Sequence, residues 1–64
     1  MNIVEKYSKE IAGKVVEFTV ECTENTEYPY YVQSTLNVDG AGKTIVEAKE
    51  KCENATKMYI MMND

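Results

Sequence analysis

Gly42, Lys43 and Thr44, set between strand-forming residues and a helical stretch, have the types and order that end a phosphate-binding loop. The full pattern needs a glycine five residues before Gly42, where this chain has Asn37, and nucleotide hydrolysis needs far more chain than 64 residues. What is left is a helix N-terminus with backbone amides, Gly40, Gly42, Lys43 and Thr44, a place that could hold an anion. Glu17 and Glu21 would share one face of a strand, but no neighbouring residue type is present to tune either carboxyl for acid-base work, so no catalytic residue is expected. Cys22 and Cys52 match no zinc-ligand spacing, and there is no histidine to complete a site. Both cysteines read as small core residues, and neither a metal nor a cofactor is implied.

The remaining chemistry-bearing residues are suited to contact rather than reaction. Tyr28, Pro29, Tyr30 and Tyr31 put aromatic rings on both faces of a strand end, and tyrosine combines a large contact area with a hydroxyl. With Glu17 and Glu21 these tyrosines form the expected protein-binding set. Met58, Tyr59, Ile60, Met61 and Met62 are apolar around the whole helix circumference, more than one small sheet can cover.

These residues need elements to hold them. Thr44 to Glu47 is a capping box, and apolar residues follow at Ile45, Ala48, Cys52, Ala55, Tyr59 and Met62, which predicts a helix over about 44–62 with one apolar face. From Lys14 to Cys22 the pattern alternates, Val16, Phe18, Val20 and Cys22 inward and Val15, Glu17, Thr19 and Glu21 outward. A second alternating run from Tyr30 to Val38 completes a hairpin, with Pro29 at its start because proline has no ladder donor. Asp39 to Lys43 reads as a glycine-rich turn into the helix. The first thirteen residues fit two patterns: Tyr7, Lys9 and Ile11 alternate as a strand would, whereas Asn2 and Glu5 could begin a short helix ended by Gly13. The helix is favoured, on the position of Gly13. The predicted fold is α+β, one domain over residues 1–64: an antiparallel hairpin or small sheet, a C-terminal amphipathic helix on one face and a short N-terminal helix.

Composition fits such a domain, with 44% hydrophobic and 28% charged residues. Eleven acidic residues against seven lysines give a net charge of −4, and there is no arginine. A protein that neutralises phosphates needs a basic stripe, so the balance argues against nucleic acid and suits a basic protein surface. The first residues lack the apolar core of a signal peptide, and no run nears the roughly 18 apolar residues of a membrane span, so a cytoplasmic protein is expected.

The segment Gly42, Lys43, Thr44, Ile45, Val46, Glu47, Ala48, followed by Ala55, resembles the helix start of HicB-type antitoxins, where a hairpin leads into a Gly-x-Thr-x-x-Glu-Ala helix. The resemblance, over residues 30–56, implies a small acidic partner-binding domain that neutralises a toxin. The same segment looks like the last strand and helix of a double-stranded-RNA-binding domain, although Ile45 and Val46 stand where that family has paired lysines.

Together these readings predict a non-catalytic inhibitor or regulator of another protein, of the kind found in phages and mobile elements. The alternatives are a nucleic-acid-binding domain of the RNA-binding shape and an anion or nucleotide-ligand binder using Gly40 to Thr44. A homodimer is expected, because so short a chain has a thin core. Either the C-terminal helices pair through Met58, Ile60 and Met61, or an exposed strand edge pairs with its symmetry mate.

Overall fold

A computed structural model describes residues 2–63, which form four strands and a helix in the order β1 (Asn2–Ile11), β2 (Lys14–Cys22), β3 (Tyr30–Ser34), β4 (Asp39–Gly42) and α1 (Ile45–Met62). The strands make one antiparallel sheet in the order β1-β2-β3-β4, and α1 packs on one face of it. The fold is α+β, as the sequence predicts, with one correction at the N-terminus: residues 2–11 are a strand, not a helix. Gly13 ends that strand rather than a helix. Ala12 and Gly13, with φ of 50° and 84°, form the two-residue turn that joins β1 to β2, and positive φ at both positions is what such a hairpin turn demands.

β2 adopts the predicted faces. Val16, Phe18 and Val20 are buried under the helix, Cys22 is half-buried at the rim, and Val15 and Glu17 are exposed on the other side. β2 and β3 pair as predicted, with Val20 opposite Val32 and Phe18 opposite Ser34. The second run, however, is a strand only as far as Ser34. Ser34 ends β3 by turning its hydroxyl onto the backbone N–H groups of Leu36 and Val38, at 3.4 and 3.3 Å, and its own N–H donates to the Val38 carbonyl at 2.8 Å. Asn37 takes the left-handed conformation at φ 63°, which short polar side chains tolerate. The chain thus reverses at 35–38, and the stretch expected to be a turn, Asp39–Gly42, is the fourth strand.

That strand is where the helix sits closest. A Cβ on Gly40 would lie 2.6 Å from the backbone nitrogen of Cys52, and one on Gly42 would lie 2.7 Å from that of Ala48. The helix backbone rests directly on β4. Away from β4, larger side chains stand between helix and strands: Tyr30 and Val32 on β3, Val16, Phe18 and Val20 on β2, Tyr7 and Ile11 on β1.

Thr44 caps α1, its hydroxyl accepting from the Glu47 N–H at 3.1 Å. The Glu47 carboxylate pairs with Lys51 at 3.1 Å. At the other end Asn63 donates from both its side chain and its backbone to the Tyr59 carbonyl. The buried face of the helix runs Ala48, Cys52, Thr56, Ile60, with Ile45 half-buried beside it. This differs from the expected stripe, in which Tyr59 and Met62 took the last two places; both are exposed. A row of residues four apart slants across a helix by about 26°, so a helix lying on that row crosses its sheet obliquely and turns Ile60 inward. Thr56 is carried into the core by the same slant, and its hydroxyl has no hydrogen-bond partner.

The expected core of Phe18, Val20, Leu36, Ile45, Ala48 and Cys52 assembles, Leu36 and Ile45 packing as half-buried members. Replacing Phe18, 1% exposed, by alanine is expected to cost about 3 to 5 kcal/mol, read as a collapse of the thermal transition. Gly40→Ala forces the helix to lift and is expected to cost about 1 to 3 kcal/mol in urea denaturation. An unchanged midpoint would mean that α1 does not rest on β4.

Candidate functional site: the open face of the sheet

The helix covers one face of the sheet, and no element among the described residues covers the other. Strand register fixes what that open face displays. Ile3, Glu21, Tyr31 and Ala41 form one cross-strand row; Lys6, Thr19, Gln33 and Asp39 form the next; Ser8 lies opposite Glu17, and Glu10 opposite Val15. Ile3 and Val15 are large exposed apolar residues, Val15 at 74%. The face therefore carries Glu10, Glu17, Glu21 and Asp39 against the single cation Lys6. Tyr31 crosses one row to donate its hydroxyl to Asp39 at 3.0 Å; partial burial and then that bond raise the Tyr31 pKa above its ordinary value. A shallow depression of about 360 Å³ is lined in part by Lys6, Ser8, Glu17, Thr19 and Thr35.

Glu17 and Glu21, four residues apart on one strand, lie about 13 Å apart at roughly 3.3 Å per residue. Glycosidase-type carboxyl pairs work across less than about 10 Å, so these two do not act on one bond. The arrangement is electrostatic: an open, mostly anionic surface whose field favours cationic groups over anionic ones.

Only part of the sequence-derived binding set meets here. Glu17, Glu21 and Tyr31 share the open face, and Glu21 stands directly opposite Tyr31. Tyr30 points to the helix side and packs against the core, so it leaves the set. Tyr28 is exposed in the loop between β2 and β3, held by Asn25, whose side-chain oxygen accepts from the N–H groups of Glu27 and Tyr28, and covered by Lys51, whose Nζ is 5.3 Å from the ring centre. It too lies on the helix side. The anion site is corrected as well: Gly40 and Gly42 back onto the helix within β4, and the Thr44 hydroxyl is engaged by Glu47, leaving Lys43 exposed alone. Of the expected dimer contact, Met58 and Met61 are exposed at 62% and 63%, but Ile60 is 4% exposed and belongs to the chain's own core.

Residues that the sequence reading missed lie on β1. Lys6 and Glu10 join the open face. On the helix side Tyr7 stacks on Phe18, ring centres 5.0 Å apart, and donates its hydroxyl to Glu53 at 2.7 Å; Lys9 reaches the same carboxylate at 2.8 Å, and Lys49 pairs with Glu5 at 3.0 Å while lying over the Tyr7 ring. The alternation of Tyr7, Lys9 and Ile11 was the available signal. Burial would raise the Glu53 carboxyl, but the bonds from Lys9 and Tyr7 outweigh it and hold it below the ordinary carboxylate value. Burial, then the bond to Glu53, raises the Tyr7 hydroxyl well above 10. Burial pushes the Cys52 thiol up to about 11, so it is a neutral core group.

Among the described residues no cluster of three or more histidine, cysteine or acidic side chains is placed to hold a metal ion, and no helix is long and apolar enough to cross a membrane. No protein-family model matches the chain, and neither curated proteins nor solved structures give a significant match. These comparisons neither support nor oppose the resemblance of residues 30–56 to antitoxin and RNA-binding domains.

The Tyr7–Glu53 bond predicts a pH signature. Glu53, depressed in the folded state, stabilises above the unfolded carboxyl pKa of about 4.5, and that contribution is lost as pH falls through the lower folded value. Tyr7, raised in the folded state, contributes fully below pH 10 and loses that contribution as pH climbs toward its folded value. The stability difference between the native chain and Tyr7→Phe is therefore expected to be greatest between pH 5 and 10 and to shrink on both sides. A difference independent of pH would place the hydroxyl elsewhere.

Proposed function

We propose that this protein is a small acidic, non-catalytic binding module, an inhibitor or regulator of another protein, of the antitoxin or phage counter-defence kind. It docks a basic protein surface on the open face of its sheet. The observation that carries this reading is the segregation of charge between the two sides. Lys9, Lys49 and Lys51 are paired with Glu53, Glu5 and Glu47 at the helix, whereas Glu10, Glu17, Glu21 and Asp39 stand on the uncovered face with Lys6. Tyr31 and the apolar Ile3 and Val15 supply contact area among those charges. Phosphate recognition is disfavoured on the same ground, since the open face offers no basic stripe. Both cysteines are free thiols, which suits the reducing cytoplasm.

The test is capture from host extract at physiological salt, with mass spectrometry naming the protein retained. Glu17→Lys with Glu21→Lys reverses the centre of the face and brings the net charge from −4 to about zero. Glu24→Lys with Glu27→Lys makes the same change in net charge on the neighbouring loop. The first pair is expected to weaken the partner at least about tenfold, roughly 1.4 kcal/mol, while the loop pair leaves it within a few-fold. Equal retention by all three proteins would refute docking on the sheet face, and capture of duplex RNA instead would replace the reading altogether.

A further inference from the structure

β1 is an edge of the sheet and its longest strand; one side is paired with β2 and the other has no neighbour among the described residues. Ile11 and Lys14 flank a two-residue turn and so form the hydrogen-bonded pair that closes it. Alternation then directs the backbone groups of Tyr7, Lys9 and Ile11 toward β2, and those of Lys6, Ser8 and Glu10 outward along the free edge. Charged residues usually guard such an edge against pairing. Here, however, the outward residues carry both signs, and Lys6 and Glu10, which are exposed, make no ion pair among the described residues.

We infer that a second copy of the chain docks on this edge, β1 against β1 in antiparallel register with Ser8 on the two-fold axis. Lys6 of each copy then lies opposite Glu10 of the other on the open face, and Tyr7 lies opposite Lys9 on the helix side. Opposite charges directly across a strand pair are favourable, and like charges are not. Neighbouring two-fold registers lack this match. An axis at Lys6 or Lys9 sets a lysine against itself, and an axis at Tyr7 sets Lys6 against Ser8 and Glu10 against Val4, its one opposite-charge match being Glu5 with Lys9, which are already paired with Lys49 and Glu53 within their own chain. Val4 is also the extra residue of the irregularity between Ile3 and Glu5, which confines regular pairing to residues 5–11. The two sheets become one, with both helices on one side and both acidic faces on the other, so the proposed binding surface is doubled. The helix-mediated route lacks its central residue, because Ile60 is buried in its own chain.

Sedimentation of the full chain tests the edge, and thermal melts verify that each variant is folded. The native protein is expected to be a dimer at micromolar concentration. Lys6→Glu and Glu10→Lys, each alone, set like charges opposite and should weaken the dimer at least about tenfold. Mixed together they restore both opposite-charge pairs and should form a heterodimer. Ser8→Pro removes an outward N–H without touching the β1–β2 ladder and should also give a monomer, whereas Met61→Glu should leave the dimer intact. A native chain that stays monomeric from micromolar to near-millimolar concentration overturns the inference. So does a mixture that fails to reassociate, or a dimer that Met61→Glu dissociates and Lys6→Glu does not. None of these outcomes depends on the partner captured by the acidic face.

Discussion

The direct contact between the backbone of α1 and strand β4 sets the geometry of the whole domain. With hydrogen atoms in place of side chains at Gly40 and Gly42, the helix comes down onto the strand until Cys52 and Ala48 touch it. Every other strand is joined to the helix by side chains, Tyr30 and Val32 on β3, Val16, Phe18 and Val20 on β2, and Tyr7, whose ring stacks on Phe18, on β1. In a chain of 64 residues, where the apolar core is thin, this arrangement lets one helix serve four strands.

At β1 apolar contact gives way to polar contact. Tyr7, Lys9 and Glu5 on β1 meet Glu53 and Lys49 on the helix, groups far apart in sequence whose bonds tie the first strand to the last element. These bonds also sort the charge. Lysines drawn to the helix side are neutralised by carboxylates there, which leaves the opposite face of the sheet with its acidic residues in cross-strand rows and almost no cation. The open face owes its character to the seam on the other side.

The parts of the fold that carried apolar periodicity were legible in the sequence. Alternation at Val16, Phe18 and Val20 gave β2, and the cap at Thr44 with apolar spacing gave the helix. β4 was not legible because a strand whose helix-facing residues are glycines has no apolar alternation, and glycine is the usual mark of a turn. The helix expected over residues 2–11 rests on Gly13, which instead closes a hairpin turn, and the strand is masked because its inward residues Glu5, Tyr7 and Lys9 are polar or amphipathic and are satisfied by partners more than forty positions away. The candidate site was half legible for the same reason. Glu17, Glu21 and Tyr31 lie on strands whose alternation marks their faces, Lys6 and Glu10 lie on β1, whose alternation is weak, and Tyr30 falls on the inward face with Val32 and Ser34.

The glycine seat grades the tolerance of the domain to sequence change from one side to the other. At Gly40 and Gly42 the permitted side-chain volume is zero, because the nearest atom in each case is a helix backbone nitrogen, which no compensating substitution can make smaller. At β1 the same layer is filled by rings and long polar chains, which can exchange for others of similar reach while their termini find new partners. Drift is tolerated on the helix-facing side of the first strand, whereas the two glycine positions of the fourth stay fixed. Changes in the polar seam at β1 need not disturb the seat that holds the helix.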